Sequence, residues 1–141
     1  MSHIRPFHLA IPVDDLRVAR EFYRDILGCT TGRESEHWID FNFFGHQLVT
    51  HLSINKSVSD VVNIVDGDRV SVPHFGIILE KKVWDTMVQN LSELGVKFII
   101  EPRTRFKGKA GEQSTLFIKD PSGNILEFKS FQNDTNIFKR K

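Results

Sequence analysis

The chain carries one pattern twice, and each copy sets a histidine at the same point. Phe7-His8-Leu9-Ala10-Ile11 opens the first copy and Pro73-His74-Phe75-Gly76-Ile77 opens the second. Each histidine sits on a short apolar run that reads as a strand. A helical pattern follows, ending in Leu27-Gly28 in one copy and Leu94-Gly95 in the other, 20 residues after His8 and 21 after His74. A fixed self-similarity of this kind restricts the fold to two like units. By bringing the same potential metal ligand to two equivalent places, it suggests a pseudo-symmetric site between two modules.

Each half reads as strand, helix, then strands, which is an α+β fold class. In the first half Phe7–Val13 is the opening strand, and Asp14 or Asp15 can cap the helix that follows. Leu16, Ala19, Phe22, Tyr23, Ile26 and Leu27 give that helix one apolar face. Residues 29–33 read as the next strand. Trp38–Phe43 and Gln47–Leu52 alternate with period two, with a turn at Gly45-His46. Residues 53–72 are rich in Ser, Asn, Asp and Gly and read as a linker, partly ordered over the site. The second half repeats the scheme, with strands expected at 74–79, 96–100, 114–119 and 124–131 and a helix face at Val83, Met87, Val88, Leu91 and Leu94. Residues 101–113 read as a basic, glycine-containing loop, and Asp120-Pro121-Ser122-Gly123 as a turn. The expected organisation of residues 1–141 is therefore a single domain: module 1 at about 4–53, linker at about 54–72, module 2 at about 73–131 and a tail at 132–141.

Composition excludes several classes of function. A formal net charge of +1 gives no electrostatic basis for binding nucleic acid or an acidic membrane. No apolar run approaches the roughly 20 residues of a membrane span. The first residues lack the apolar stretch of a secretory signal, and the single cysteine, Cys29, cannot pair within the chain. These features predict a soluble, cytoplasmic protein.

The residues able to do chemistry lie on strands. In Ile125-Leu126-Glu127-Phe128 a carboxylate stands among apolar neighbours, sharing a face with Ile125 and Lys129. An inward carboxylate is costly unless it is paired or bound to a metal. His8, His74 and Glu127 together supply two histidines and one carboxylate, a recurrent divalent-metal set with open positions that includes non-haem Fe(II). Mn suits it as well, and mixed nitrogen and oxygen ligands also accommodate Zn, Ni or Co. His51 and Gln47 come from the fourth strand of the first half. His51 reads as a fourth ligand, a group behind the metal, or an ordinary strand residue. Phe41, with Trp38 and Phe43, suits an apolar ring pocket or ordinary packing. Arg103 and Arg105 in the basic loop read as a solvated face or an anion-binding substrate lid.

Four stretches resemble the vicinal oxygen chelate superfamily, which includes glyoxalase I, extradiol dioxygenases and the fosfomycin and bleomycin resistance proteins. They are Phe7–Leu16, Phe22-Tyr23 through Cys29, Pro73–Gly76 and Lys119–Phe128. The resemblance implies two tandem βαβββ modules, forming a curled mixed sheet around a metal-binding cleft, with His8, His74 and Glu127 as ligands. Glyoxalase-like members add a fourth ligand, often glutamate, from the last strand of the first module, where this chain offers Gln47, Val49 and His51. The two-histidine, one-glutamate set is closer to that of the extradiol dioxygenases. The resemblance therefore implies a divalent-metal-dependent enzyme for a substrate with vicinal oxygens, with Fe(II) or Mn favoured, His51 in an acid–base role, and a homodimer. The alternatives are a glyoxalase I-like lyase or isomerase, or a non-catalytic bleomycin-resistance-like binding protein.

Overall fold

Asp15 starts the first helix, its side chain accepting a bond from the Val18 N–H at 3.1 Å. The computed structural model of the chain describes residues 3–54 and 60–140. Helix α1 (Leu16–Arg20) continues as a π-helical turn over Glu21–Ile26. The Leu27 N–H reaches the Phe22 carbonyl at 3.0 Å, and Gly28 then closes the segment at φ +78°. The wider turn allows the successive residues Phe22 and Tyr23 both to be buried.

The chain forms two compact units. The first is Met1–Val58 together with Asp120–Asn124, and the second is Ser59–Lys119 together with Ile125–Lys141. In the first, β1 (His8–Val13), β2 (Thr30–Glu34), β3 (Trp38–Phe43) and β4 (His46–Leu52) make a sheet in the order β1-β4-β3-β2. In the second, β7 (Phe75–Ile78), β8 (Ile100–Arg105), β9 (Gln113–Lys119) and β10 (Ile125–Phe131) repeat that order as β7-β10-β9-β8. In each sheet the first strand runs parallel to the last and the other pairs are antiparallel. With α1 after β1 and α2 (Lys81–Glu93) after β7, the two sheets are tandem βαβββ modules of a curled, mixed α+β fold. The tail carries a 3₁₀ turn at Asp134–Asn136.

Alternation along the strands separates two faces of each sheet. In the first unit Ile39, Phe41, Phe43 and Leu48 are buried, as are Phe22, Tyr23 and Leu27 of the helical segment. In the second, Leu116, Ile118, Leu126 and Phe128 are buried, as are Trp84 and Leu91 of α2. The Trp84 indole N–H donates to the Phe128 carbonyl at 2.9 Å, tying α2 to β10. The opposite faces carry His8, Gln47 and His51 in one sheet and Glu127 and Lys129 in the other.

Two stretches differ from expectation. The linker contains a hairpin, β5 (Val61–Val65) and β6 (Asp68–Val72), turned at Asp66 and Gly67, both at positive φ. Residues 55–59 of that linker lie outside the described residues. The strand expected at 96–100 lies at Ile100–Arg105, inside the presumed basic loop. Its ladder to β9 shifts register between Ile100 and Arg103, so Pro102 falls at an irregularity where a missing N–H is tolerated. The arginines that suggested a loop are neutralised by aspartates of the hairpin, which sequence distance concealed.

Candidate metal centre

His74 stands immediately ahead of β7, and its Nδ1 is 2.7 Å from the Ser71 carbonyl oxygen. A carbonyl only accepts, so Nδ1 carries the proton and, in the neutral ring, Nε2 presents a lone pair. That Nε2 faces Oε1 of Glu127 at 3.2 Å. A neutral imidazole and an ionised carboxylate so placed oppose two lone pairs, an arrangement that requires a proton or a cation between them. The Phe117 ring meets the His74 ring edge to face at 5.0 Å and restricts its tilt.

Glu127 is only 6% exposed. Its Oε2 accepts a short bond from the Thr115 hydroxyl and lies 3.6 Å from Arg105 Nη1, while Oε1 lies 3.7 Å from Lys129 Nζ. Burial by itself pushes the pKa of this carboxyl up. The bonds from His74 and Thr115 and the charge of Lys129 outweigh it, so the net displacement is downward and the carboxylate is the resting form. For His74 the bond to Glu127 pushes the pKa up, burial opposes it, and the Ser71 carbonyl adds to the rise. The strand bearing Glu127 approaches β7 so closely that a Cβ built on Gly76 would stand 1.5 Å from the Glu127 carbonyl oxygen. Glycine is therefore required at position 76.

His8 is exposed on β1 in the first unit, and its Nδ1 lies 2.8 Å from Gln47 Oε1. The Gln47 amide nitrogen in turn donates to Asp40 Oδ2 at 3.5 Å. This chain of Asp40, Gln47 and His8 fixes the proton on Nδ1 and leaves Nε2 as the atom available to a ligand. Both repeat histidines thus have Nδ1 committed to an acceptor. The strand registers place Ala10 opposite Val49 and Gly76 opposite Glu127, so Val49 is the first module's counterpart of Glu127.

The structure brings His74 and Glu127 together in the second unit and His8 and Gln47 together in the first. Among the described residues no three His, Cys, Asp or Glu side chains form a ready metal cage. His51 is exposed on β4, on the face of Gln47 and Val49. Phe41 is 1% exposed on the opposite face, its ring 5.3 Å from that of Tyr23, and belongs to the core. Arg103 pairs with Asp66 and Asp68, both at 3.1 Å, and buried Arg105 donates to Asp68 at 3.0 Å. Sequence reasoning missed Asp40, Asp68 and Thr115 as supports. The polar alternation Trp38, Asp40, Asn42 was a usable signal for the first; Thr115 is set by register between β9 and β10, and Asp68 by the approach of the hairpin to the arginines of β8.

The sequence matches the profile described as Glyoxalase/Bleomycin resistance protein/Dioxygenase superfamily over residues 5–128. It is 38% identical to a glyoxalase/bleomycin resistance protein/dioxygenase from Alicyclobacillus acidocaldarius, covering 94% of this chain and 96% of that one with a TM-score of 0.80. The fold is also similar to lactoylglutathione lyase from Agrobacterium tumefaciens (20% identity, 92% and 94% coverage, TM-score 0.62). A fosfomycin resistance protein from Listeria monocytogenes shares it as well (14% identity, 97% and 99% coverage, TM-score 0.62). Among curated proteins none matches this sequence. No helix among the described residues is long and apolar enough to cross a membrane. Repeat, sheet order and sequence profile agree, and the chain belongs to the glyoxalase/bleomycin resistance protein/dioxygenase superfamily.

Proposed function

We propose that the protein is a divalent-metal-dependent enzyme for a small substrate with vicinal oxygens, with extradiol-dioxygenase-like chemistry and His8, His74 and Glu127 as ligands. The observation that carries this reading is the facing pair of His74 Nε2 and Glu127 Oε1, 3.2 Å apart, with Nδ1 already committed to Ser71. The donor set suits Fe(II) or Mn(II). Such an ion supplies Lewis acidity to a chelated substrate and stabilises the anion formed when a proton leaves. Gln47 holds His8 in its ligating tautomer, and its place beside the histidine supports a substrate contact. His51, exposed on the same face, is the candidate to accept a substrate proton. Val49, where a fourth carboxylate would stand, favours a three-ligand set with open positions over a glyoxalase I-like one. A homodimer and a cytoplasmic location complete the proposal; a free, buried Cys29 accords with a reducing compartment.

The test is metal content by elemental analysis of untagged protein purified without oxygen, beside His8→Ala, His74→Ala and Glu127→Ala. Stoichiometric iron or manganese, with each variant weakened about 10-fold or more, supports the proposal. Zinc, nickel or cobalt instead turns it towards lyase or isomerase chemistry. Wild-type protein that takes up no metal on titration overturns it in favour of a binding protein.

A further inference from the structure

We propose that Lys129 selects a substrate that is itself anionic, by pairing with a charged oxygen of a vicinal-oxygen ligand such as a 2-hydroxycarboxylate. This rests on the metal reading above and deepens it. Lys129 lies two residues after Glu127 on the same face of β10, and its ammonium is 3.7 Å from Glu127 Oε1. With His74, Glu127 and the β7 residues Phe75, Gly76, Ile77 and Ile78 it lines an open cavity of about 220 Å³. The ladder sets Ile78, 39% exposed, opposite Lys129. The cavity thus offers a cation and two metal-ligating groups beside an apolar wall, and fits a small ligand with a charged head and an apolar body.

Charge balance gives the sign. Arg103 and Arg105 are held by Asp66 and Asp68, and Lys129 has Glu127 as its acidic neighbour. Three acids and three bases therefore balance in this linked cluster while His74 is neutral. A divalent ion taken by Glu127 leaves two positive charges in excess and draws the carboxylate's charge away from Lys129. A 2-hydroxycarboxylate cancels one of these charges, and a neutral ligand with the same chelating oxygens cancels none. Arg105 cannot substitute for Lys129, because it is 4% exposed and donates twice to Asp68.

The experiment uses the full-length protein loaded with Co(II), whose visible absorption reports on both metal and ligand binding. Glycolate and glycolamide are titrated as matched vicinal-oxygen probes that differ in charge. Wild-type protein is expected to prefer glycolate. Lys129→Met is expected to weaken glycolate binding about 10-fold and to leave glycolamide within about twofold, while Lys129→Arg keeps the preference. Thermal melts confirm that each variant is folded. Equal glycolate affinity in wild type and Lys129→Met overturns the inference while leaving the metal reading intact. Failure of wild-type protein to bind Co(II) overturns the metal reading, and this inference with it.

Discussion

The hydroxyl of Tyr23 donates to Oδ2 of Asp120 at 2.8 Å, joining residues 97 positions apart in the sequence. Asp120 also accepts from the Ser122 and Asn124 backbone N–H groups at 2.9 and 2.8 Å, and from the Asn124 side chain at 2.8 Å. Asn124 donates to the Pro12 carbonyl and Ser122 accepts from the Asp14 N–H, both at 2.9 Å, so the turn is built into the first unit. Tyr23→Phe removes one donor from a buried carboxylate and is expected to cost about 1–3 kcal/mol in denaturant unfolding. Asp120→Ala strips several groups of their partner at once and is expected to cost more.

Alkaline pH should weaken the fold through two groups of the first unit. Burial, reinforced by the charge and bond of Asp120, raises the Tyr23 pKa well above its usual value, and burial pushes the Cys29 thiol up to about 12. In the unfolded chain these groups lose their protons near about 10 and about 8.5. The folded state therefore holds more protons than the unfolded one above those values. The stability the protonated groups contribute is full below about pH 8 and falls as pH rises towards 12. Tyr23 is the only tyrosine in the chain, so tyrosinate absorbance reads it alone. The absorbance should rise together with unfolding and not before it.

Removing the support of His8 should weaken metal binding without touching a ligand. Gln47→Leu leaves the His8 Nδ1 proton without its acceptor and frees the ring to rotate or change tautomer. The expected loss is about 10-fold in metal affinity, by calorimetric titration, with a melting temperature close to wild type.

Asp68→Ala removes the hydrogen-bond acceptor of a buried guanidinium, since Arg105 is 4% exposed and donates to Asp68 at 3.0 and 3.3 Å, and leaves it only the longer 3.6 Å contact with Glu127 as an ion pair. The expected cost is about 3–5 kcal/mol. Hydrogen exchange should show protection lost first in the hairpin β5–β6 and in β8.

Gly76→Ala forces a methyl group onto the Glu127 backbone and should open the β7–β10 ladder at the pair that carries the carboxylate. Destabilisation of about 1–3 kcal/mol or more is expected. Loss of metal uptake should accompany it, although neither a ligand nor a charge has changed.

The repeat was legible because each module must bury one face of a sheet beneath one helix, and that demand leaves its period in the residues. Asp15, Gly28 and the alternation over Trp38–Phe43 all appear where local chemistry placed them. What was hidden depends on partners far apart in the chain. The hairpin at 61–72 leaves Val61, Val62 and Ile64 exposed, so its apolar residues trace no buried face. Arg103 and Arg105 look like loop residues until Asp66 and Asp68 stand beside them. Phe41 looked like a pocket residue because an aromatic strand reads alike on either face; only register assigns it to the helix side. His74 and Glu127 were visible as residue types on strands, and Lys129 as a residue on the face of Glu127, but Thr115 gains its meaning from cross-strand position alone.

The turn Asp120–Asn124 has a consequence for anyone who would split the gene. The first unit is discontinuous: it takes five residues from beyond the strands β7, β8 and β9 of the second. A fragment ending before residue 59 would leave the Tyr23 hydroxyl and the Pro12 carbonyl without the partners they have here. The two halves can be counted in the sequence but not excised as cassettes, and a transplant of the first into another scaffold must bring its own acidic turn.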